Sequence, residues 1–335
     1  MNRVDFEHLL EQGSVPAVLL FEGEEEHLKQ VALDRLRKLL LPEGMEQMNE
    51  TVLENPGTDQ LIAAAETLPF LSERRLIVVR DFLPLSGKGE ADERLVSYLP
   101  SVPPSAVILF FCSGKPDGRK KLYTTIRKLN GIVTFSQLKG AELNRFITDA
   151  FRACGKECSD RNAEYLAFTV GSDSSLLLSE ISKIASYTGE RTSVSPDDIK
   201  ALATPSTECT VFQMVDAVVT GQKNRTFTLL KNQLTSGTDR MAILSLMLRQ
   251  YRFLQHIKIM QYEKKSRDFI TRTLGVPPFA VDQYIRQASS YTGGQVKKAV
   301  SLCFDTEYAI KSGRMQPDGA LETVVLKLLA LRQKD

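Results

Sequence analysis

At 335 residues the chain has room for two or three domains of ordinary size, and 42% hydrophobic with 25% charged residues describes a globular protein, not a disordered one. A net charge of +2 excludes a nucleic-acid-binding field spread over the whole molecule, so any such contact needs a local patch. Of five scattered cysteines only Cys154 and Cys158 are close together; one such pair without a second argues against zinc, and an odd count argues against a disulfide framework. No apolar run approaches the length of a membrane span, and Met1 to Gln12 lacks the apolar region of a signal peptide, so a cytosolic protein with no membrane partner is expected.

Ala17 to Phe21 is a continuous apolar run, as expected for a buried parallel strand. Glu22-Gly23-Glu24-Glu25-Glu26 follows, and then an amphipathic helix with Leu28, Val31, Ala32, Leu36, Leu39 and Leu40 on one face. A phosphate-binding loop would sit at such a strand-to-helix turn, and it needs G-x-x-x-x-G-K-[ST]. Here there is one glycine, no Lys-Ser/Thr pair, and three consecutive carboxylates that repel a triphosphate.

Met48 to Leu53 reads as the next strand, and a helix begins near Thr58 with Leu61, Ile62 and Ala65 on its apolar face. Pro69 cannot continue it, so the helix should stop at about Leu68. Phe70 and Leu71 then lie in a turn before the strand Arg75 to Arg80. Large apolar side chains on a turn admit two explanations. They fold back to cap the core, or Leu68, Phe70 and Leu71 form a hydrophobic plug for a pocket on a partner.

Asp81 stands where a nucleotide hydrolase places a metal-binding acid, but its neighbour is Phe82 and it reads as a turn residue. Further strands are expected at Ala106 to Phe111 and Ile132 to Phe135, with helices at Ala91–Leu99 and Arg119–Leu129. Strands alternating with helices point to a parallel sheet covered on both faces. Lys115, Arg119, Lys120 and Lys121 form a basic stretch that is either a solvated loop and helix start or a contact to a phosphate backbone.

From Gly140 only helices are expected. A helix with the apolar stripe Leu143, Phe146, Ile147, Ala150 and Phe151, ended by Cys154-Gly155, then Arg161–Val170, Ser174–Tyr187 and a short fourth helix after the cap Ser195-Pro196 make a small module, and a break at Thr204-Pro205-Ser206 precedes a larger bundle. Its long helix, roughly Asp239 to Lys264, carries apolar residues around much of its circumference and should be buried between neighbours. His256 reads as a plain packed or surface histidine.

The order of these features resembles the delta-subunit family of bacterial DNA polymerase III clamp loaders, of the Gram-positive type. The matching residues are Val18 to Phe21 with Gly23 and no phosphate loop, Leu68-Pro69-Phe70-Leu71-Ser72-Glu73-Arg74-Arg75-Leu76-Ile77-Val78-Val79, Leu178 to Lys183, and Asp305 to Gly313. The resemblance implies an α/β plus all-α protein: an AAA+-like parallel-sheet domain over 1–140, a helical lid over 141–204 and a C-terminal helical collar over 205–335. It implies a non-ATPase subunit that binds the sliding clamp (beta) through Leu68, Pro69, Phe70 and Leu71 and opens its ring. It further implies contact with the tau/gamma and delta prime subunits through the collar, and with primed DNA inside the complex, where Lys115, Arg119, Lys120 and Lys121 are the candidate contacts. No catalytic residue, cofactor or metal of its own is implied; polymerase (nucleotidyltransferase) activity belongs to the complex, working in the cytoplasm at replication forks on the nucleoid. The alternatives are an independent DNA-binding or scaffold AAA+-like protein, and an active AAA+ ATPase, against which Glu24-Glu25-Glu26 stands.

Overall fold

The computed structural model describes residues 1–87, 89–90 and 92–332, and divides into two compact units. The first takes in Met1–Lys139 with Asp173–Ser175. Its elements are α1 (Arg3–Glu11), β1 (Val18–Glu22), α2 (Glu26–Leu40), α3 (Glu46–Asn49), β2 (Glu50–Glu54), α4 (Thr58–Glu66), β3 (Arg75–Arg80), α5 (Glu93–Tyr98), β4 (Ala106–Phe111), α6 (Lys121–Lys128) and β5 (Ile132–Thr134). The strands form one sheet in the order β2-β3-β4-β1-β5, parallel throughout, as the alternation of strands and helices leads one to expect.

One row of residues crosses the whole sheet, from Leu53 through Val79, Phe110 and Leu20 to Ile132. On this face Leu61 and Ala65 of α4, Leu95 of α5 and Leu122 and Ile126 of α6 close over the strands. On the other face Phe21 meets Phe6 of α1 edge-on at 5.1 Å and Phe135 at 5.0 Å. The inner strands are buried on both faces, which is why β1, β3 and β4 read as unbroken apolar runs.

Several boundaries differ from the sequence pattern, each for a local reason. Met48 and Asn49 belong to a short helix instead of the strand, which starts at Glu50; the Asn49 amide donates to Met45 O at 3.2 Å across that turn. The helix before Pro69 ends at Glu66, because Thr67 is already extended ahead of the segment that proline straightens. The helix expected from Ala91 has its first residue outside the described residues; the described part begins at Glu93 behind Asp92, whose carboxylate accepts from Arg94 N. α1 has no counterpart in the sequence reading, since only Phe6 and Leu10 mark its buried face.

The second unit takes in Gly140–Ser172 and the chain from Leu176 onward. Its helices are α7 (Gly140–Ala153), α8 (Asp160–Val170), α9 (Ser174–Tyr187), α10 (Pro196–Leu202), α11 (Thr207–Val219), α12 (Lys223–Thr235), α13 (Arg240–Tyr262), α14 (Arg267–Leu274), α15 (Pro278–Ser289), α16 (Gly293–Lys311) and α17 (Ala320–Arg332). α13 is the axis: Ile243, Leu244, Met247, Tyr251, Leu254 and Ile257 are buried against α11, α15 and α16. A run of edge-on rings, Phe279–Phe168–Phe212–Tyr284–Phe253, joins α8 to this bundle with centroids 4.8 to 5.8 Å apart. α14, also unforeseen, is an eight-residue helix capped by Ser266 and anchored by Ile270 and Leu274.

Gly23 and Gly131 are both packed too closely against neighbouring backbone to take a Cβ, and Gly23 is also in the left-handed region. Its φ is +111°, and a Cβ there would lie 2.2 Å from Phe135 O, which is backbone and cannot swing away. Gly23→Ala is therefore expected to cost about 3 kcal/mol of stability, seen as a lower denaturant midpoint for the first unit.

Candidate partner-binding turn

β2 and β3 are parallel neighbours, so the connections entering them lie side by side at the amino end of the sheet. One is α3; the other is the turn Thr67 to Arg74. Leu68 is 80% exposed, Leu71 74% and Phe70 51%, so none of the three caps the core. The backbone beneath them is held. Asn49, 0% exposed, accepts the Phe70 N–H on Oδ1 at 2.7 Å and donates from Nδ2 to Phe70 O at 2.9 Å. Arg75, itself buried, donates to Thr67 O at 3.2 Å and to Thr51 Oγ1 at 2.9 Å. That burial pushes its guanidinium down from the ordinary arginine value. Ser72 Oγ closes the far side by donating to Arg74 O at 2.9 Å.

Leu71 has φ +47°, a left-handed conformation that costs a branched residue about 1–2 kcal/mol. Exposure, strain and bracing coincide on one turn. Pro69 sits between Leu68 and Phe70, and its fixed φ removes one degree of freedom from the same segment. Neither Asn49 nor Arg75 stood out in the sequence as supports: Asn49 sat inside an apparent strand, and Arg75 read as a strand end.

At the opposite, carboxyl end of the sheet lies the place of a phosphate loop. Lys29 of α2 is 0% exposed, and its ammonium donates to Gly23 O at 3.0 Å, Cys112 O at 2.6 Å and Glu26 Oε1 at 2.6 Å. Glu25 accepts from Ser174 Oγ at 2.6 Å and from Leu138 N at 3.4 Å, and Glu22 from Thr134 Oγ1 at 2.9 Å. The charges of this loop are thus largely spent on internal bonds. A cavity of about 260 Å³ beside it is lined by Glu22, Gly23, Glu24 and Lys115 together with Thr134, Ser136, Gln137 and Lys139.

The basic stretch is mostly paired. Arg119 grips Asp117 at 3.0 Å and lowers its carboxyl to about 2; Lys121 meets Glu93 at 2.8 Å; Lys120 donates to Gly89 O at 3.0 Å. Among the described residues Lys115 alone of the four has no such partner. Asp81, at φ +50°, is a turn residue. Among the described residues no group of acids, histidines and cysteines could hold a metal ion, and no helix is long and apolar enough to cross a membrane.

Residues 19–136 match the family described as DNA polymerase III, delta subunit, and residues 208–328 match the DNA polymerase III delta subunit, C-terminal domain. The chain belongs to the DNA polymerase III delta-subunit family. The DNA polymerase III subunit delta of Bacillus subtilis is 26% identical over 97% of this chain and 96% of its own length. A probable DNA polymerase III subunit delta of Aquifex aeolicus is 23% identical over 75% of this chain and 73% of its own. The solved structure of the Bacillus subtilis DNA clamp loader delta protein aligns over 98% of this chain and 99% of that one, with 26% identity and a TM-score of 0.52. The first matched segment of this delta-family chain contains both the braced turn and Asn49.

Two outcomes follow from the geometry of the two ends. Lys29→Met leaves two buried carbonyl groups short of a donor and is expected to cost about 2–4 kcal/mol in urea denaturation. Leu71→Gly relieves the left-handed strain at an exposed site, so its stability should equal the parent's or exceed it by up to about 1 kcal/mol. A large loss in the glycine variant would show that the turn supports the core after all.

Proposed function

We propose that this chain, as a clamp-loader delta subunit of DNA polymerase III, binds the sliding clamp through the turn Leu68-Pro69-Phe70-Leu71 and opens its ring for loading onto primed DNA. The supporting observation is three exposed apolar side chains on a turn whose backbone is fastened from beneath. Each such side chain is worth about 1.5–3 kcal/mol when a partner's pocket buries it fully. An aromatic anchor at the centre of the patch is where that energy concentrates.

Opening requires no chemistry from this subunit. A plug docked beside the clamp's ring interface binds the open or relaxed ring better than the closed one and shifts the population toward open. Nucleotide acts through the neighbouring subunits, in keeping with a phosphate-loop site whose lysine and two of whose carboxylates bond within the protein. We further propose three working parts, 1–140, 141–204 and 205–335, with the last joining the tau/gamma and delta prime subunits. The complex works in the cytoplasm at replication forks.

The alternative of an independent DNA-binding protein rests on Lys115, Arg119, Lys120 and Lys121. Three of these are already engaged, Arg119 by Asp117, Lys120 by the Gly89 carbonyl and Lys121 by Glu93, which weakens it.

Phe70→Ala is expected to weaken binding to the cognate sliding clamp by about 2–4 kcal/mol, measured by calorimetry or surface binding. Its melting temperature should stay close to the parent's, because the side chain is half-exposed. Clamp binding undiminished in this variant would remove the turn as the site.

A further inference from the structure

Asn49 ends α3 one residue before β2, and its side chain reaches across to the neighbouring connection. Both halves of its amide meet the same residue: Oδ1 takes the Phe70 N–H at 2.7 Å and Nδ2 gives to Phe70 O at 2.9 Å. That two-bond exchange is what a hydrogen-bonded residue pair makes in an antiparallel ladder, here supplied by a side chain. A further bond from Nδ2 to Met45 O at 3.2 Å fixes the amide against its own helix. The Phe70 peptide so held carries a half-exposed side chain and is followed by the exposed Leu71, so these partly buried bonds organise a segment that adds little apolar burial to the core.

A buried amide with all this polarity could have been replaced by an apolar residue if only packing mattered. Its bonds instead remove freedom from the Phe70 peptide before any partner arrives. Ordering a loop during association lowers affinity, and a loop ordered beforehand avoids that loss. If only a fraction of turns is in the docking form, apparent affinity falls by that fraction, and the association rate falls with it.

We infer that Asn49 is a positioning residue for clamp engagement, holding the Phe70 peptide so that Phe70 and Leu71 are presented ready to dock. The inference rests on the clamp-binding role of the turn proposed above, and it adds a residue that makes its contribution without touching the clamp.

The test uses the full chain and its cognate clamp, with Asn49→Ala, Asn49→Asp and Phe70→Ala beside the parent. Site-resolved amide exchange is read on the free proteins, and association and dissociation rates are read with the clamp. In the parent the Phe70 amide should be protected. Asn49→Ala should lose that protection and bind about tenfold more weakly, with the loss in the association rate. Asn49→Asp keeps the acceptor for the Phe70 N–H and lacks the donor, so it should fall between. Phe70→Ala should instead raise the dissociation rate. An unprotected Phe70 amide in the parent overturns the inference, whether or not the variants fold. Parent-like association by Asn49→Ala, with binding lost in Phe70→Ala, overturns it while leaving the turn as the site. Parent-like binding by Phe70→Ala removes the turn as the site, and the role of Asn49 with it.

Discussion

In an open parallel sheet a ligand crevice forms where adjacent strands send their connections in opposite directions, and in this protein a lysine side chain already fills it. β1 runs on to β2 at one edge of the sheet and β4 runs on to β5 at the other, so β1 and β4 flank that point. The Lys29 ammonium bonds the carbonyls of Gly23 and Cys112, which leave those two strands, and Gly23 N bonds Gly114 O at 2.9 Å across the same gap. A fully buried ammonium is stable only when its donors are met, and three oxygens meet them here. The junction of β1 and β4 is therefore tied together by Lys29, beside the cavity lined by Glu22, Gly23, Glu24 and Lys115. Glu25, which could have met a phosphate with repulsion, is turned inward as an acceptor for Leu138 and Ser174.

The two most exposed large apolar side chains of the first unit, Leu68 and Leu71, lie at the opposite, amino end of the sheet, on the turn before β3. The turn violates several local rules at once: branched apolar residues on a loop, a leucine in the left-handed region, and a buried arginine and asparagine beneath. Rule-breaking that the surrounding structure over-determines is characteristic of functional segments. Here the compensations are identifiable bonds, from Arg75 to Thr67 O and from Asn49 to Phe70.

The sequence carried the sheet well because its inner strands are buried on both faces and so appear as uninterrupted apolar runs, as in Val18 to Phe21 and Ala106 to Phe111. It carried the turn itself, since Pro69 dictates a helix stop and Phe70-Leu71 is conspicuous on a loop. The supports were hidden for a different reason. Asn49 and Phe70 are far apart in sequence, and a side chain that imitates a strand partner leaves no periodic trace. α1 and α14 bury only two residues each, as do α4 and α6, but the latter two lie between strand-like apolar runs that mark them and α1 and α14 do not. In the basic stretch the fold adds partners that the sequence does not show. Lys115 to Lys121 looks like free positive charge until the fold brings Glu93 and the Gly89 carbonyl to it.

Stiffness in the turn also bears on how binding could be converted into ring opening. A plug shifts the ring's equilibrium only by the difference between its affinities for the open and closed forms. A mobile turn would re-form around either ring and bind both nearly alike, giving affinity without opening. A turn whose backbone is set by Asn49 and Arg75, and whose Leu71 is held in a strained conformation, presents one shape only. In the proposed role it would fit whichever ring geometry matches that shape with little reorganisation. The bracing of the free subunit would then be the property that lets binding energy discriminate between two states of the proposed partner.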